Sequence, residues 1–335
     1  MSKHATISAR TTPAQDDWPE QLAVRIAKYY YELGLTQQEI AARIGIGRAR
    51  VIRLLAESRE RGLVTININS PLLENIELAD ALAERYQLDF AEVCLASSDD
   101  ENQLARQIAI AAGPTISRML RNDMTVGLGW GVTLKELAVH LPQQSLTGVS
   151  VVSLLGSLTR RSSVTRYEAT TELAAKLEAE CHYLPAPIVC DSTKSREVLS
   201  AQPMFRDVYH KAMTSDIAIV SIGGLDSATI RAVKLVSDEE YQAVKEKGAI
   251  GNFLGYYIDG EGNVIEHALN DRIIGIRDEA FRVIPKRIML SGGAAKAAAI
   301  RTVLKRGTLT GLITDNQTAK LLLDEADTRF NTTDN

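Results

Sequence analysis

The chain has 335 residues, 45% of them hydrophobic and 24% charged, with a formal net charge of −4. That length accommodates one large or two ordinary domains, and that composition excludes extended disorder. The charge is lopsided: residues 1–70 carry a net +3, which leaves −7 for the rest, so the overall acidity does not exclude a nucleic-acid partner.

No stretch reaches the roughly 18–20 uninterrupted apolar residues of a spanning helix. Met1–Gln21 lacks the apolar core of a secretory signal, so a cytoplasmic, non-membrane protein is expected. Cys94, Cys181 and Cys190 are widely spaced and form no C-x-x-C pair. They predict reduced, buried thiols and no metal site.

In chain order, residues 1–20 read as a tail and residues 21–69 as a compact, Arg-rich helical module. Leu22–Leu33 is a supporting helix that packs Leu22, Ile26 and Leu33. Thr36-Gln37-Gln38-Glu39 is a capping box that opens a helix bearing Ile40, Ala41 and Ile44. Gly45 allows a sharp turn, and Ile46 plugs the angle before a second helix, Gly47–Glu60, with Val51, Leu54 and Leu55 inward. This is the pattern of a helix-turn-helix. Its outer face carries Arg48, Arg50 and Arg53 in the two turns that such proteins place in the major groove of double-stranded DNA. Arg reads guanine bidentately, while Gly47 and Ala49 permit close approach. Arg43, Arg59 and Arg61 suit phosphates. The alternation in Gly62–Ile68 suggests the strand of a wing.

Ser70-Pro71 marks a boundary, because the residue before proline avoids the helical region. An amphipathic helix follows at Leu73–Tyr86. Beyond it, predicted strands at Ala91–Leu95, Thr125–Leu128, Val149–Leu155, His182–Pro185, Ile217–Ile222, Ile288–Leu290 and Gly311–Thr314 alternate with helical segments. The helices are predicted at Gln103–Leu120, Leu134–His140, Tyr167–Glu180, Arg196–Ser200, Met204–Thr214, Ala295–Lys305 and Thr318–Asp324. Alternation of this kind predicts an α/β fold with a largely parallel, Rossmann-like sheet over residues 72–328, with 329–335 a tail. Gly255–Glu266 reads as a hairpin turning at Asp259–Asn263.

Four polar or glycine-rich loops fall at predicted strand ends. The first holds Gly129, Trp130, Gly131 and Thr133. The second holds Gly156, Ser157 and Thr159, with Arg160 and Arg161. The third runs Ser291–Lys296, placing Lys296 near a helix start, where an anion is favoured. The fourth is Asn252-Phe253-Leu254-Gly255. Ligands of open α/β sheets bind at strand carboxyl ends, so the four loops suggest one crevice. Gly127-x-Gly129-x-Gly131 is only part of a dinucleotide fingerprint: Val132 stands where the third glycine belongs, and no acidic partner follows about 20 residues on. No cofactor is therefore predicted. The five histidines fall in no motif, and neither a G-x-S-x-G elbow nor an H-E-x-x-H occurs. Binding without turnover, and no catalytic residue, is the economical reading.

Gly34-Leu35-Thr36-Gln37-Gln38-Glu39-Ile40-Ala41 through Arg53-Leu54-Leu55, Gly127–Gly131, Gly251-Asn252-Phe253-Leu254-Gly255 and Ser291–Lys296 together resemble the SorC/DeoR-type sugar-binding transcriptional regulators. The resemblance spans roughly residues 20–325. It implies an N-terminal helix-turn-helix and an effector domain similar to sugar-phosphate isomerase and CoA-transferase folds. It also implies homo-oligomers, dimers or tetramers, that repress or activate carbohydrate or polyol operons. Thr36 and Gln37 join Gly47, Arg48, Ala49, Arg50 and Arg53 as expected DNA contacts. A phosphorylated sugar, held by the glycine loops and Lys296, is the family's usual effector. The family often carries Asp where this chain has Asn252, which leaves an unphosphorylated sugar or polyol open. The competing classes are a sugar-phosphate isomerase-like enzyme with an accessory DNA-binding module, and a constitutive DNA-binding architectural protein.

Overall fold

The computed structural model describes residues 18–66, 70, 72–96, 98, 100–158, 168–226 and 234–324. The expectations for Thr159, Arg160, Arg161, Asn67, Ile68 and tail residues 1–17 and 329–335 fall outside these residues, whereas Trp18–Glu20, expected in the tail, already begin the first helix. The chain divides into two compact units, Met1–Ser70 and Pro71–Asn335.

The first unit is three helices: α1 (Trp18–Tyr31), α2 (Gln37–Ile44) and α3 (Arg48–Glu60). The capping box at the start of α2 is present in full. The Glu39 amide donates to Thr36 Oγ1 at 3.3 Å, and the Thr36 amide donates back to Glu39 Oε2 at 2.8 Å. Gly45 ends α2 in the left-handed region (φ +77°), donating to the Ala41 carbonyl, and the chain turns into α3 two residues later. Leu22, Ala23 and Ile26 of α1 meet Ile40, Ala41, Val51, Leu54 and Leu55 in one core. Ile26, Ile40 and Val51 are wholly buried, each contributing about 1.5–3 kcal/mol. Two expectations fail here. Leu33 lies beyond the end of α1 and is 52% exposed rather than packed. Gly62–Ile66 forms no strand, so the alternation there makes no wing among the described residues.

The second unit is a doubly wound sheet. In chain order it runs α4 (Leu73–Tyr86), β1 (Phe90–Cys94), α5 (Glu101–Met119), β2 (Thr125–Leu128), α6 (Val132–His140), β3 (Ser150–Ser157), α7 (Thr170–Lys176), β4 (Glu180–Pro187), α8 (Thr193–Ser200), α9 (Pro203–Met213) and β5 (Ile217–Val220). Then follow β6 (Ile222–Gly224), α10 (Asp238–Glu246), β7 (Gly251–Phe253), β8 (Tyr256–Ile258), α11 (Ala268–Asp271), α12 (Asp278–Arg282), β9 (Lys286–Leu290), α13 (Ala297–Lys305), β10 (Gly311–Asp315) and α14 (Asn316–Leu323). Seven strands form one sheet in the order β1-β10-β9-β5-β2-β3-β4, parallel at every pairing. Period-two alternation inside apolar runs feeds both faces. Ile217, Ile219, Val151 and Ile313 face a core with α5, α6 and α7. Ala218, Val220, Val152 and Leu312 face a core with α4, α13, α14 and the small sheet.

The run Ile217–Ile222 is not one strand. It breaks at Ser221, and β6 enters a separate antiparallel sheet, β6-β7-β8. The hairpin also turns earlier than expected. Phe253 pairs with Tyr256 across Leu254 (φ +52°) and Gly255 (φ +86°), a two-residue turn with both φ values positive. Asp259–Asn263 is a turn as well, but it closes on a single bridge, Ile258 to Val264. Among the described residues of the expected Tyr167–Glu180 helix, Thr170–Lys176 is helical, and Glu180 already begins β4.

Candidate functional site

On the three-helix unit, Gly47, Arg48, Ala49, Arg50 and Arg53 are all exposed along one end of α3. Their guanidinium groups are committed to different degrees. Arg48 Nε and Nη2 both point at Gln37 Oε1, each at 3.4 Å, so the first residue of α2 aims the first residue of α3. Arg53 leans on Glu57 at 3.5 Å. Arg43 lies over the Tyr29 ring, 4.8 Å from its centroid, and Arg61 reaches Glu20 at 3.4 Å. Arg50 has no partner among the described residues.

In the α/β unit the strand order reverses between β2 and β5, because the chain winds outward through β3 and β4 and returns on the other side of β2. Adjacent loops leave the sheet in opposite directions at such a point and open a crevice at the carboxyl edge. The loop after β2 stands beside it. The Gly129 amide donates to the Ile219 carbonyl of β5 at 2.9 Å. Gly131 takes φ +134°, a conformation that suits glycine alone, and a Cβ there would meet only open space. No side chain among the described residues caps α6, and Thr133 in its first turn is buried. Trp130 is half-buried, and its Nε1 is buried with no acceptor.

The loop after β9 supplies a second orphan: Ser291 is fully buried and its Oγ has no partner. The next turn is held from beneath by Asp315, which is 1% exposed at the end of β10. The Gly293 amide donates to Asp315 Oδ2 at 3.2 Å and to Thr318 Oγ1 at 2.7 Å. The Asp315 Oδ1 atom accepts the Thr318 amide at 2.8 Å, capping α14. A Cβ at Gly292 would collide with the Asp315 carboxylate.

Lys296 closes a single 3₁₀ turn, Ala294–Lys296, rather than sitting a turn inside an α-helix. Its side chain is 13% exposed, and its Nζ lies 2.5 Å from Glu101 Oε1 at the start of α5. The expected anion ligand is therefore already held by an internal carboxylate.

The remaining loops sort differently. A Cβ at Gly156 would lie 2.8 Å from the Pro187 backbone, so that glycine serves strand packing, while Ser157 is exposed at the end of β3. Asn252 is 9% exposed, and its Nδ2 donates to the Gly255 carbonyl at 2.8 Å, tying the β7–β8 turn. Leu254 is buried in that turn. A Cβ at Gly255 would touch Leu155 of β3, and one at Gly251 would touch Ala299 of α13, so this turn too belongs to the carboxyl edge. Asp315, Thr318 and Glu101 escaped the sequence reading. Only Asp315-x-x-Thr318 carries a local signal, an N-cap pattern directly after a strand.

A family model described as "Putative sugar-binding domain" matches residues 70–324. The erythritol catabolism regulatory protein EryD of Brucella abortus is 30% identical over 316 residues, covering 92% of this chain and 98% of that protein. The transcriptional regulator LsrR of Escherichia coli K12 is 29% identical over 328 residues, covering 95% and 99%. Among solved structures, the full-length sorbitol operon regulator SorC of Klebsiella pneumoniae superposes with a TM-score of 0.69 at 28% identity, covering 91% of this chain and 99% of that one. This chain belongs to the SorC/DeoR-type family of sugar-binding transcriptional regulators.

Proposed function

We propose that this regulator binds operator DNA through a helix-turn-helix made by α2 and α3, and that a sugar, sugar phosphate or polyol in the α/β crevice sets its affinity for that DNA. The observation that carries the effector half is the pair of buried, unpartnered polar atoms, Trp130 Nε1 and Ser291 Oγ, on loops at the carboxyl edge of the sheet. Buried polar groups are almost always hydrogen-bonded, so a polyhydroxylated ligand that supplies their partners accounts for them. The uncapped start of α6 and Lys296 would meet a phosphate, if the effector carries one. Arg48, Arg50 and Arg53 would read bases, and Thr36 and Gln37 would fix α2 on the backbone. Pairs of α3 helices in a homo-oligomer would fall in successive major grooves, about one helical turn apart. An effector changes operator affinity only through its differential affinity for two arrangements of the oligomer, typically about 1–3 kcal/mol. EryD and SorC are named for polyol systems, which favours that ligand class. The relatives are named as regulators rather than enzymes, so the site is read as binding without turnover.

The test is a thermal-shift screen of sugars, polyols and their phosphates on the full chain, because a ligand that binds the folded state raises the midpoint by mass action. A hit is then followed by anisotropy on operator DNA. Lys296→Ala is expected to lose the response to a phosphorylated hit while still binding the operator. A hit whose affinity is unchanged by Lys296→Ala removes Lys296 from the site, and a screen with no hit at millimolar ligand overturns the effector reading.

A further inference from the structure

On the second unit, α8, α9 and the segment Ile273–Arg277 enclose an open groove of about 510 Å³, a volume typical of small-molecule sites. None of the residues singled out for the effector crevice lines it. Its floor is aromatic and apolar. Phe205 is 5% exposed and stacks on Tyr209, with centroids 5.8 Å apart and planes at 19°. Tyr256 and Met213 complete it, and the Tyr256 hydroxyl donates to the Gly275 carbonyl at 3.1 Å.

The rim is cationic. Arg196, Arg206 and Arg277 stand around one opening, with Glu197 the sole carboxylate among the lining residues. Arg277 lies 6.0 Å from the Tyr256 ring centroid, a cation–π contact. The guanidinium groups of Arg196 and Arg206 have no hydrogen-bond or ion-pair partner among the described residues. That sets them apart from most arginines of this unit. Arg85 binds the Leu323 carbonyl, Arg272 binds Glu240, Arg282 binds Asp278, and Arg287 binds the Thr308 carbonyl. The groove therefore gathers positive charge in a unit whose net charge is −7 and leaves that charge unanswered.

An occupant must satisfy both halves. A flat apolar body covers Phe205, Tyr209 and Tyr256, and an anionic head of carboxylate, sulfonate or phosphate type takes the planar donors of Arg196 and Arg206. A sugar phosphate meets only the second demand, because it brings no flat apolar body to cover Phe205, Tyr209 and Tyr256. We propose that this groove is a second small-molecule site, selective for aromatic anions and separate from the sugar-effector crevice.

The probe is naphthalene-1-sulfonate, titrated calorimetrically into the full-length protein, with the neutral 1-naphthalenemethanol as its counterpart. Saturable binding of the sulfonate is expected, with at least tenfold weaker binding of the neutral compound. Arg196→Gln/Arg206→Gln removes the charge from positions that carry no internal contact, and is expected to weaken the sulfonate tenfold or more. Ala201→Trp fills the groove from an exposed position without touching the charge, and is expected to abolish binding of both compounds. Equal affinity for the two compounds overturns the proposal. So does an unchanged sulfonate affinity in both variants, or no saturable heat at millimolar probe, the result if another copy of the chain covers the groove.

Discussion

The Asp315 carboxylate is the sharpest single test of how the crevice is built. It is 1% exposed, its Oδ1 takes the Thr318 amide at 2.8 Å, and its Oδ2 takes the Thr318 hydroxyl at 2.6 Å and the Gly293 amide at 3.2 Å. Asp315→Ala removes the cap of α14, at about 1 kcal/mol. It also strips a charged acceptor from a buried hydroxyl and amide, worth about 1.5–3 kcal/mol. Relief of the carboxylate's own desolvation offsets part of this, so the net destabilisation expected is about 2–3 kcal/mol. Asp315→Asn keeps the acceptor for the Thr318 amide but sets an NH2 group against the Gly293 N–H, and should lose about half as much. Urea unfolding of a Trp18→Phe background, followed by Trp130 fluorescence, reads the α/β unit alone, because the chain has two tryptophans. The same variants should weaken any effector of the crevice, since the 291–296 loop loses its support. An Asp315→Ala protein within about 0.5 kcal/mol of its parent would refute the claim that this carboxylate organises the loop.

Arg50→Ala should cost about 1–3 kcal/mol on operator DNA and relax preference at one base pair, whereas an equal loss on every sequence would mark a phosphate contact. Hydrogen bonds from the Thr36 backbone, then from its hydroxyl, hold the Glu39 carboxyl below its ordinary value of 4.5. A lowered folded-state value means the contribution is whole above pH 4.5 and is lost as the pH falls through the folded value; Glu39→Gln should flatten that acid limb in denaturation measured from pH 6 to 3. Burial, reinforced by the neighbouring Asp315 charge, pushes the Cys94 thiol up to about 12. Thiol labelling at pH 8 should therefore find exposed Cys181 first and leave Cys94 silent until unfolding, and comparable rates would count against that placement.

Local signals in the chain predicted what local physics decides. The capping box at Thr36–Glu39, the glycine turn at Gly45 and the inward Val51, Leu54 and Leu55 needed no distant partner, and each is in place. Strands such as Ser150–Ser157 were legible because both faces of a parallel sheet are buried, so apolar residues fall on both faces, here Val151, Val152, Leu154 and Leu155. Leu33 misled because helical spacing continues past the residue where α1 actually stops, and hydrophobicity alone does not say that a core is there to receive it.

Where two distant segments decide, the signal vanished. The β7–β8 turn forms at Leu254, a branched residue at φ +52°, against its own backbone preference. Asn252 ties the turn through the Gly255 carbonyl, and Leu155, Ile188 and Ile273 crowd around Gly255. Local preference pointed instead to Asp259–Asn263, which does turn but has little sheet to close. Lys296 was found by sequence and Glu101 was not, because 195 positions separate them and only the parallel order of β1, β10 and β9 brings the starts of α5 and the 3₁₀ turn together. That pairing alters what Lys296 must do. If the proposed effector is anionic, it meets no waiting cation and must compete with Glu101 for Lys296. Affinity at the crevice is then a difference between two ion pairs, and Glu101→Gln should raise it for a phosphorylated ligand while leaving a neutral polyol unmoved.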